Sequence, residues 1–355
     1  MNVSQPFRVA LSGAFQNDDG TVVFPMFDLS PLTNDAEVEF EYVAGIDGRM
    51  TAESLEDFDA LVLLLEKFDA NSIPKSNRLA LIARFGVGFD TVDVEACKHA
   101  GIAVGITPNG VRRPVAVSVI TYILALSGKL LSKDALVRGG PSTFAQRADH
   151  MGIGLVGKTL GSIGLGNIGA EVFRMCAPFG MNLIAHDPYI DPSTAQSVNV
   201  ELRDLETVFR ESDFLTLNVP LNEETYHLAN AARLALMKPS AYLINTSRGP
   251  VVDQAALVTA LTQGIIAGAG LDVFDPEPPQ SDDPLLKLDN VILTPHALCW
   301  TDQCFAGMGA QDLEHVFAIK NGEAPQALAD PSVAHEPVFQ RKLEHYQKLF
   351  RAQST

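Results

Sequence analysis

The chain has 355 residues, 46% hydrophobic and 19% charged, which is enough apolar material for two ordinary domains and too much for disorder. Asp and Glu outnumber Lys and Arg by 43 to 26, a formal charge of −17. That excludes a general binder of nucleic acid or of anionic membranes, because either surface would repel it. The four cysteines match no familiar metal spacing, so reduced thiols and no metal are expected. The opening Met1-Asn2-Val3-Ser4-Gln5-Pro6 lacks the basic start and apolar run of a leader, which predicts a cytoplasmic protein.

Short apolar runs alternate with helical segments, the pattern of a parallel α/β fold. Strands are predicted at residues 8–12, 38–43, 60–64, 79–83 and 102–104, with a short helix at 92–100 before Gly101. Residues 115–130 read as one long helix opened by Pro114, a residue suited to a first helical position. Its apolar residues cover nearly the whole circumference, which predicts burial. The run 115–127 is too short to span a bilayer. Residues 132–154 are polar and glycine-interrupted and read as a loop or extended arm.

Beyond the arm, strands at 160–163, 182–186, 214–218, 241–245, 267–272 and 291–294 alternate with helices. Among these helices, 168–179 is closed by Gly180 and 253–262 by Gly264. Six strands with crossover helices make a dinucleotide-binding sheet. The tail, 336–355, reads as an amphipathic helix with Val338, Leu343, Tyr346, Leu349 and Phe350 on one face and its basic residues solvated.

The sharpest local motif is Gly164-Leu165-Gly166-Asn167-Ile168-Gly169. With 27 glycines in the chain, such a match arises by chance about 0.15 times, so its context decides. It follows a strand and opens a helix. The first Gly permits a tight turn, the second lets backbone approach a pyrophosphate, and the third lets helix pack on strand. The helix N-terminus then offers N–H groups and positive dipole to the phosphates. Asp187 ends the next strand, where a carboxylate can bond ribose hydroxyls and repel a 2′-phosphate; this predicts NAD over NADP. A turn-forming Asp before Pro188 is the alternative.

Three further stretches follow in order: Asn245-Thr246-Ser247-Arg248-Gly249-Pro250-Val251-Val252-Asp253, Gly270-Leu271-Asp272-Val273-Phe274-Asp275-Pro276-Glu277-Pro278, and Thr294-Pro295-His296. Arg84-Phe85-Gly86-Val87-Gly88-Phe89-Asp90 precedes them all. With the glycine motif, this set resembles the D-isomer-specific 2-hydroxyacid dehydrogenase family over nearly the whole chain. The resemblance implies a two-domain α/β protein in which an NAD-binding Rossmann domain is inserted into a flavodoxin-like α/β substrate domain. Residues 1–108 would begin the substrate domain, 109–298 form the NAD-binding domain, and 299–355 return to the substrate domain.

The implied reaction is reversible hydride transfer between NAD(H) and a D-2-hydroxy acid or 2-oxo acid, with no metal. It needs a base for the hydroxyl proton, a cation for the carboxylate and a hydride acceptor above C2. His296 matches the family's acid/base, and an imidazole suits proton transfer near neutrality. Glu277 matches its carboxylate partner, fixing the tautomer and favouring the imidazolium. Arg248 matches the arginine that pairs with the substrate carboxylate. Asn167, Ile168, Thr246 and Asp272 join Gly164, Gly166, Gly169 and Asp187 as cofactor-binding residues, Asp272 orienting the nicotinamide amide. Val87 and Gly88 are implied to offer backbone N–H groups to the substrate. A small anionic substrate and a homodimer through the long helix and the arm are expected. The rival is an NADH-sensing binding protein with little turnover, as among corepressors that share these residues.

Three positions depart from the family pattern: Val117 where a glutamate is usual, Asn218 where a histidine is common, and Ala297-Leu298-Cys299-Trp300 in place of a glycine-containing turn. The last adjoins His296, so Trp300 is a candidate to line the substrate pocket. Arg112 and Arg113, placed at a helix N-terminus, would oppose its dipole. They are read either as contacts for a second anionic or polar group on the substrate or as solvated arginines.

Overall fold

The computed structural model describes residues 5–350. The chain divides into two compact units, residues 1–111 with 301–355 and residues 112–300.

The first unit is built on strands β1 (Phe7–Ser12), β2 (Val38–Val43), β3 (Ala60–Leu63), β4 (Leu81–Arg84) and β5 (Ala103–Ile106). All pair in parallel in the order β2-β1-β3-β4-β5, the flavodoxin-like order. β3 is buried at all four residues, as a parallel strand covered on both faces must be, and such a strand reads as a continuous apolar run. The helix Val94–His99 starts where the Asp93 side chain accepts the Ala96 N–H, a side-chain cap on an otherwise orphan donor.

The C-terminal segment completes this unit. Helix Asp302–Lys320 packs on β4 and β5, and helix Pro337–Phe350 buries Phe339, Leu343, Tyr346 and Phe350. That spacing is one helical face. The Tyr346 hydroxyl lies 2.8 Å from Asp59 Oδ1 and 2.6 Å from the Arg78 carbonyl, its single proton shared between the two acceptors. Lys342, expected to be solvated, is buried instead: its Nζ donates to the Leu79 and Ala100 carbonyls at 2.6 and 2.9 Å. Two backbone acceptors compensate part of the cost of taking the amine out of water, and burial brings its pKa down to about 8. Residues 351–355 of the expected tail helix lie outside the described residues.

The second unit carries β6 (Thr159–Ile163), β7 (Asn182–His186), β8 (Glu201–Leu202), β9 (Phe214–Leu217), β10 (Tyr242–Asn245), β11 (Gly268–Leu271) and β12 (Val291–Leu293). They pair in parallel in the order β12-β11-β10-β9-β6-β7-β8. Counted within the unit, this is the Rossmann order 3-2-1-4-5-6 with one strand added, and its direction reverses between β6 and β9. Six of these strands lie within the predicted runs or overlap them to a residue or two. β8, two exposed edge residues, has no apolar run to announce it.

The long helix runs Pro108–Gly128, so Pro108 takes the first position and Pro114 lies inside the second turn. Arg112 and Arg113 are therefore not at a helix N-terminus, and the dipole conflict disappears. Arg113 donates to Glu171 at 2.8 Å, and Glu171 also receives Arg174 at 3.1 Å. This ties the long helix to helix Asn167–Cys176, so Arg113 acts as a brace. At 21 residues the helix is long and apolar enough to cross a bilayer, contrary to the shorter run expected. It is a core helix: 61% of its apolar window is buried, and Val119, Tyr122, Ile123 and Leu126 pack with Leu160, Phe173 and Ile244. The arm is also more regular than expected, with helices Leu130–Arg138 and Pro141–Phe144 separated at Gly139 and Gly140.

Candidate active site

The glycine motif leaves the carboxyl end of β6. Gly164 has φ +89, and a Cβ there would lie 2.3 Å from the Asn218 carbonyl; Gly169 could carry a Cβ only 2.5 Å from the Gly164 carbonyl. Both therefore need glycine for the turn and the close approach. Gly166 differs. Its φ is −71 and a Cβ would meet nothing within 4 Å, so its glycine keeps open the space above the helix. Helix Asn167–Cys176 has no side-chain cap at Gly166, which leaves its first N–H groups for a phosphate.

Asp187 follows β7. Its carboxylate accepts Leu165 N–H at 2.8 Å and Tyr189 N–H at 3.0 Å, which fixes the loop and leaves lone pairs for two more donors. Asn218, at the end of β9, donates to Ser162 Oγ at 2.9 Å, and Ser162 donates to the Gly164 carbonyl at 2.6 Å. The residue that departs from the family pattern thus steadies the glycine turn. Thr246 Oγ1, beyond β10, is buried without a hydrogen-bond partner. An orphaned hydroxyl, an uncapped helix end and an open glycine at the same carboxyl edge of the sheet fit a dinucleotide.

Arg248 is held by Asn245, the last residue of β10. The Asn245 side chain accepts from Ser247 N–H at 3.0 Å and Ser247 Oγ at 2.7 Å, and it donates to the Arg248 carbonyl at 2.9 Å. Gly249 lets this turn press against the Glu277 loop: a Cβ there would sit 1.7 Å from the Phe274 carbonyl. That loop is braced in turn by Gln254, whose side chain accepts Asp275 N–H at 2.9 Å. Asn245 and Gln254 are positioning residues that motif reading passed over, because their partners are backbone groups.

His296 follows β12 with φ +54, a left-handed conformation uncommon for residues other than glycine. Its Nδ1 lies 2.6 Å from Glu277 Oε1, while Glu277 Oε2 accepts Phe274 N–H at 3.2 Å. Burial pushes the Glu277 carboxyl up, but the hydrogen bond and charge of His296, the Phe274 amide and the Arg248 charge outweigh it and hold the group below its usual range. An ionised Glu277 matches an Nδ1–H tautomer, which puts the neutral ring's lone pair on Nε2.

Asp272, after β11, takes Thr294 Oγ1 at 2.5 Å, Ala297 N–H at 3.1 Å and Leu298 N–H at 3.3 Å. Burial nonetheless raises its pKa. Trp300 is 46% exposed, and its backbone N–H donates to the Ala297 carbonyl at 3.0 Å. In the first unit, Val87 and Gly88 follow Gly86, whose φ of +132 and bonds with Thr107 set the loop beyond β4.

The second unit thus gathers Gly164, Asp187, Arg248, Asp272, Glu277 and His296 beyond the carboxyl ends of its strands, the edge where open α/β sheets bind ligands. The family described as D-isomer specific 2-hydroxyacid dehydrogenase, NAD binding domain, matches residues 120–297. A glyoxylate reductase of Korarchaeum cryptofilum is 40% identical over 296 residues, 82% of this chain and 89% of that protein. A D-3-phosphoglycerate dehydrogenase of Methanocaldococcus jannaschii is 38% identical over 314 residues, 88% of this chain and 59% of that protein. The solved structure of a D-lactate dehydrogenase from Aquifex aeolicus, complexed with NAD and lactic acid, matches with a TM-score of 0.76 at 29% identity. It covers 90% of this chain and 98% of that one.

Proposed function

The chain belongs to the D-isomer-specific 2-hydroxyacid dehydrogenase family, and on that footing we propose that His296, Glu277 and Arg248 carry its reaction. The protein is an NAD-dependent oxidoreductase acting between 2-hydroxy and 2-oxo acids. The observation that supports the residue assignment is the 2.6 Å contact between His296 Nδ1 and Glu277 Oε1. In reduction, the His296 imidazolium gives its Nε2 proton to the C2 oxygen; in oxidation, neutral Nε2 takes that proton back. When bound, the nicotinamide supplies or accepts the hydride at C2. Arg248 pairs its planar guanidinium with the substrate carboxylate and polarises the adjacent carbonyl. Asp272 and Thr246 orient the nicotinamide end, and Gly164, Gly166, Asn167, Ile168, Gly169 and Asp187 cradle the pyrophosphate and ribose.

The unit of residues 112–300 is the cofactor-binding domain in this reading, and the other unit binds substrate through the N–H groups of Val87 and Gly88. Trp300 contributes to the substrate wall. The protein acts in the cytoplasm as a homodimer. Exposed Leu130, Leu131, Val137, Phe144 and Met151 on the arm support the dimer.

The glyoxylate reductase relatives make glyoxylate the first substrate to assay by NADH absorbance. His296→Ala should lower kcat by about 10²–10⁴-fold and leave the NADH Kd unchanged. A variant that still turns over at the wild-type rate rejects the assignment. A wild-type protein that binds NADH and reduces no 2-oxo acid points instead to a sensor.

A further inference from the structure

Gly270 stands in the interior of β11, where glycine weakens a strand and often marks a close approach. A Cβ there would lie 2.5 Å from the Tyr122 ring, so the strand gives up a side chain to let that ring lie against it. The ring is 1% exposed, a place where phenylalanine would pack equally well. A hydroxyl in such a core is costly unless it is bonded. This one meets Thr294 Oγ1.

Hydrogen counting fixes the direction of that bond. The threonine hydroxyl has a single hydrogen, and Thr294 spends it on Asp272 Oδ1 at 2.5 Å. Tyr122 must therefore donate to Thr294. Burial pushes the phenol's pKa up, so that proton stays in place. The relay runs Tyr122 to Thr294 to Asp272, and Asp272 Oδ1 also receives the Ala297 and Leu298 N–H groups. His296 lies between them: its own N–H donates to the Thr294 carbonyl at 3.1 Å, and its φ is +54.

We propose that the Tyr122 hydroxyl is a positioning residue for the reaction, setting Asp272 and the turn that carries His296 by way of Thr294. The proposal rests on the active-site assignment above. Donation from Tyr122 polarises the Thr294 hydroxyl and strengthens its bond to the carboxylate. That bond and the two amides hold a left-handed turn that would otherwise relax.

The test compares Tyr122→Phe, Thr294→Val, Thr294→Ser and the double variant Tyr122→Phe/Thr294→Val in the full-length protein with NADH and glyoxylate. Tyr122→Phe should lower kcat about tenfold, the worth of one hydrogen bond feeding a charged acceptor. KM for glyoxylate should change less than about twofold, because Arg248 is untouched. Thr294→Ser should keep near wild-type turnover, and Thr294→Val should lose it. The double variant should be no worse than Thr294→Val alone. Amide exchange of residues 294–298 should speed up in Tyr122→Phe, a readout that needs no turnover. A Tyr122→Phe protein with a lowered Tm but wild-type kcat and exchange overturns the proposal, as do losses that multiply in the double variant. If the wild type turns over no 2-oxo acid, the active-site assignment fails, while the exchange comparison still decides the role of Tyr122.

Discussion

Both sheets are parallel, yet the C-terminal segment closes the amino edge of the first, while the candidate site of the second stands at its carboxyl edge. In the first unit the partnered groups stand just before the strands: Asp35 and Glu37 ahead of β2, Asp59 ahead of β3, the Leu79 carbonyl ahead of β4 and the Ala100 carbonyl ahead of β5. Each meets the C-terminal segment, through Lys320, Tyr346 or Lys342. In the second unit the candidate site's polar groups follow the strands, namely Asp187, Asn218, Asn245, Asp272 and His296, while Asp213, ahead of β9, is a closing group that accepts Thr159 N–H and pairs with Lys238. At the amino edge the groups satisfy one another and close the fold. At the carboxyl edge Thr246 Oγ1 is buried without a partner and a helix end is uncapped by any side chain. The first sheet's amino edge is closed by its partners; the second sheet's carboxyl edge leaves polar groups uncommitted.

The contrast breaks most visibly at Asp59. Its carboxylate receives Arg8 N–H, two Arg78 nitrogens and the Tyr346 hydroxyl and is 3% exposed. Asp59→Ala strands those donors, and urea denaturation should show a loss of about 3–5 kcal/mol. kcat per folded molecule should be unchanged at low temperature. An Asp59→Ala protein of normal stability and no activity would reverse the assignment of the two edges.

Two glycines sharpen the comparison within the carboxyl edge. Gly166→Ala should fold with a wild-type Tm and weaken NADH about tenfold by fluorescence titration, because its Cβ enters space meant for ligand. Gly249→Ala should lower the Tm by several degrees, since its Cβ would strike the Phe274 carbonyl. Equal effects of the two substitutions on Tm would show that the space above Gly166 is not reserved.

The smallest effect concerns Lys342. Its pKa is about 8 in the fold against about 10.4 in an unfolded chain, so between those values the unfolded state binds more protons. Stability therefore rises with pH across that window. From pH 7.5 to 9.5 the wild type should gain about 1–2 kcal/mol relative to Lys342→Met. A gain of zero would mean that the amine stays charged against its two carbonyls.

The parallel strands were legible because each is a short apolar run between turn residues, and a strand covered on both faces has to read that way. β8 was not, since two exposed residues at a sheet edge carry no such pattern. The helix begins at Pro108 rather than at Pro114; both prolines suit a first turn, so the sequence does not choose between them. Lys342 was misread because its acceptors are main-chain carbonyls, which a sequence does not display. At the site, His296, Glu277 and Arg248 were legible as a motif. Tyr122 was not: its partner Thr294 lies 172 residues away, and nothing local distinguishes it from any other aromatic in a core helix.

The division of the first unit between both chain ends has a consequence for synthesis. Residues 1–111 leave the ribosome before residues 112–300, but Lys320, Lys342 and Tyr346, which close their sheet, leave after them. Residues 112–300 form a contiguous unit that emerges whole in between. At about 5–20 residues per second this takes about 10–40 s. For that time Asp59 and the rim of β3 await their partners, and the nascent five-stranded sheet is the part of this protein that a chaperone would have reason to hold.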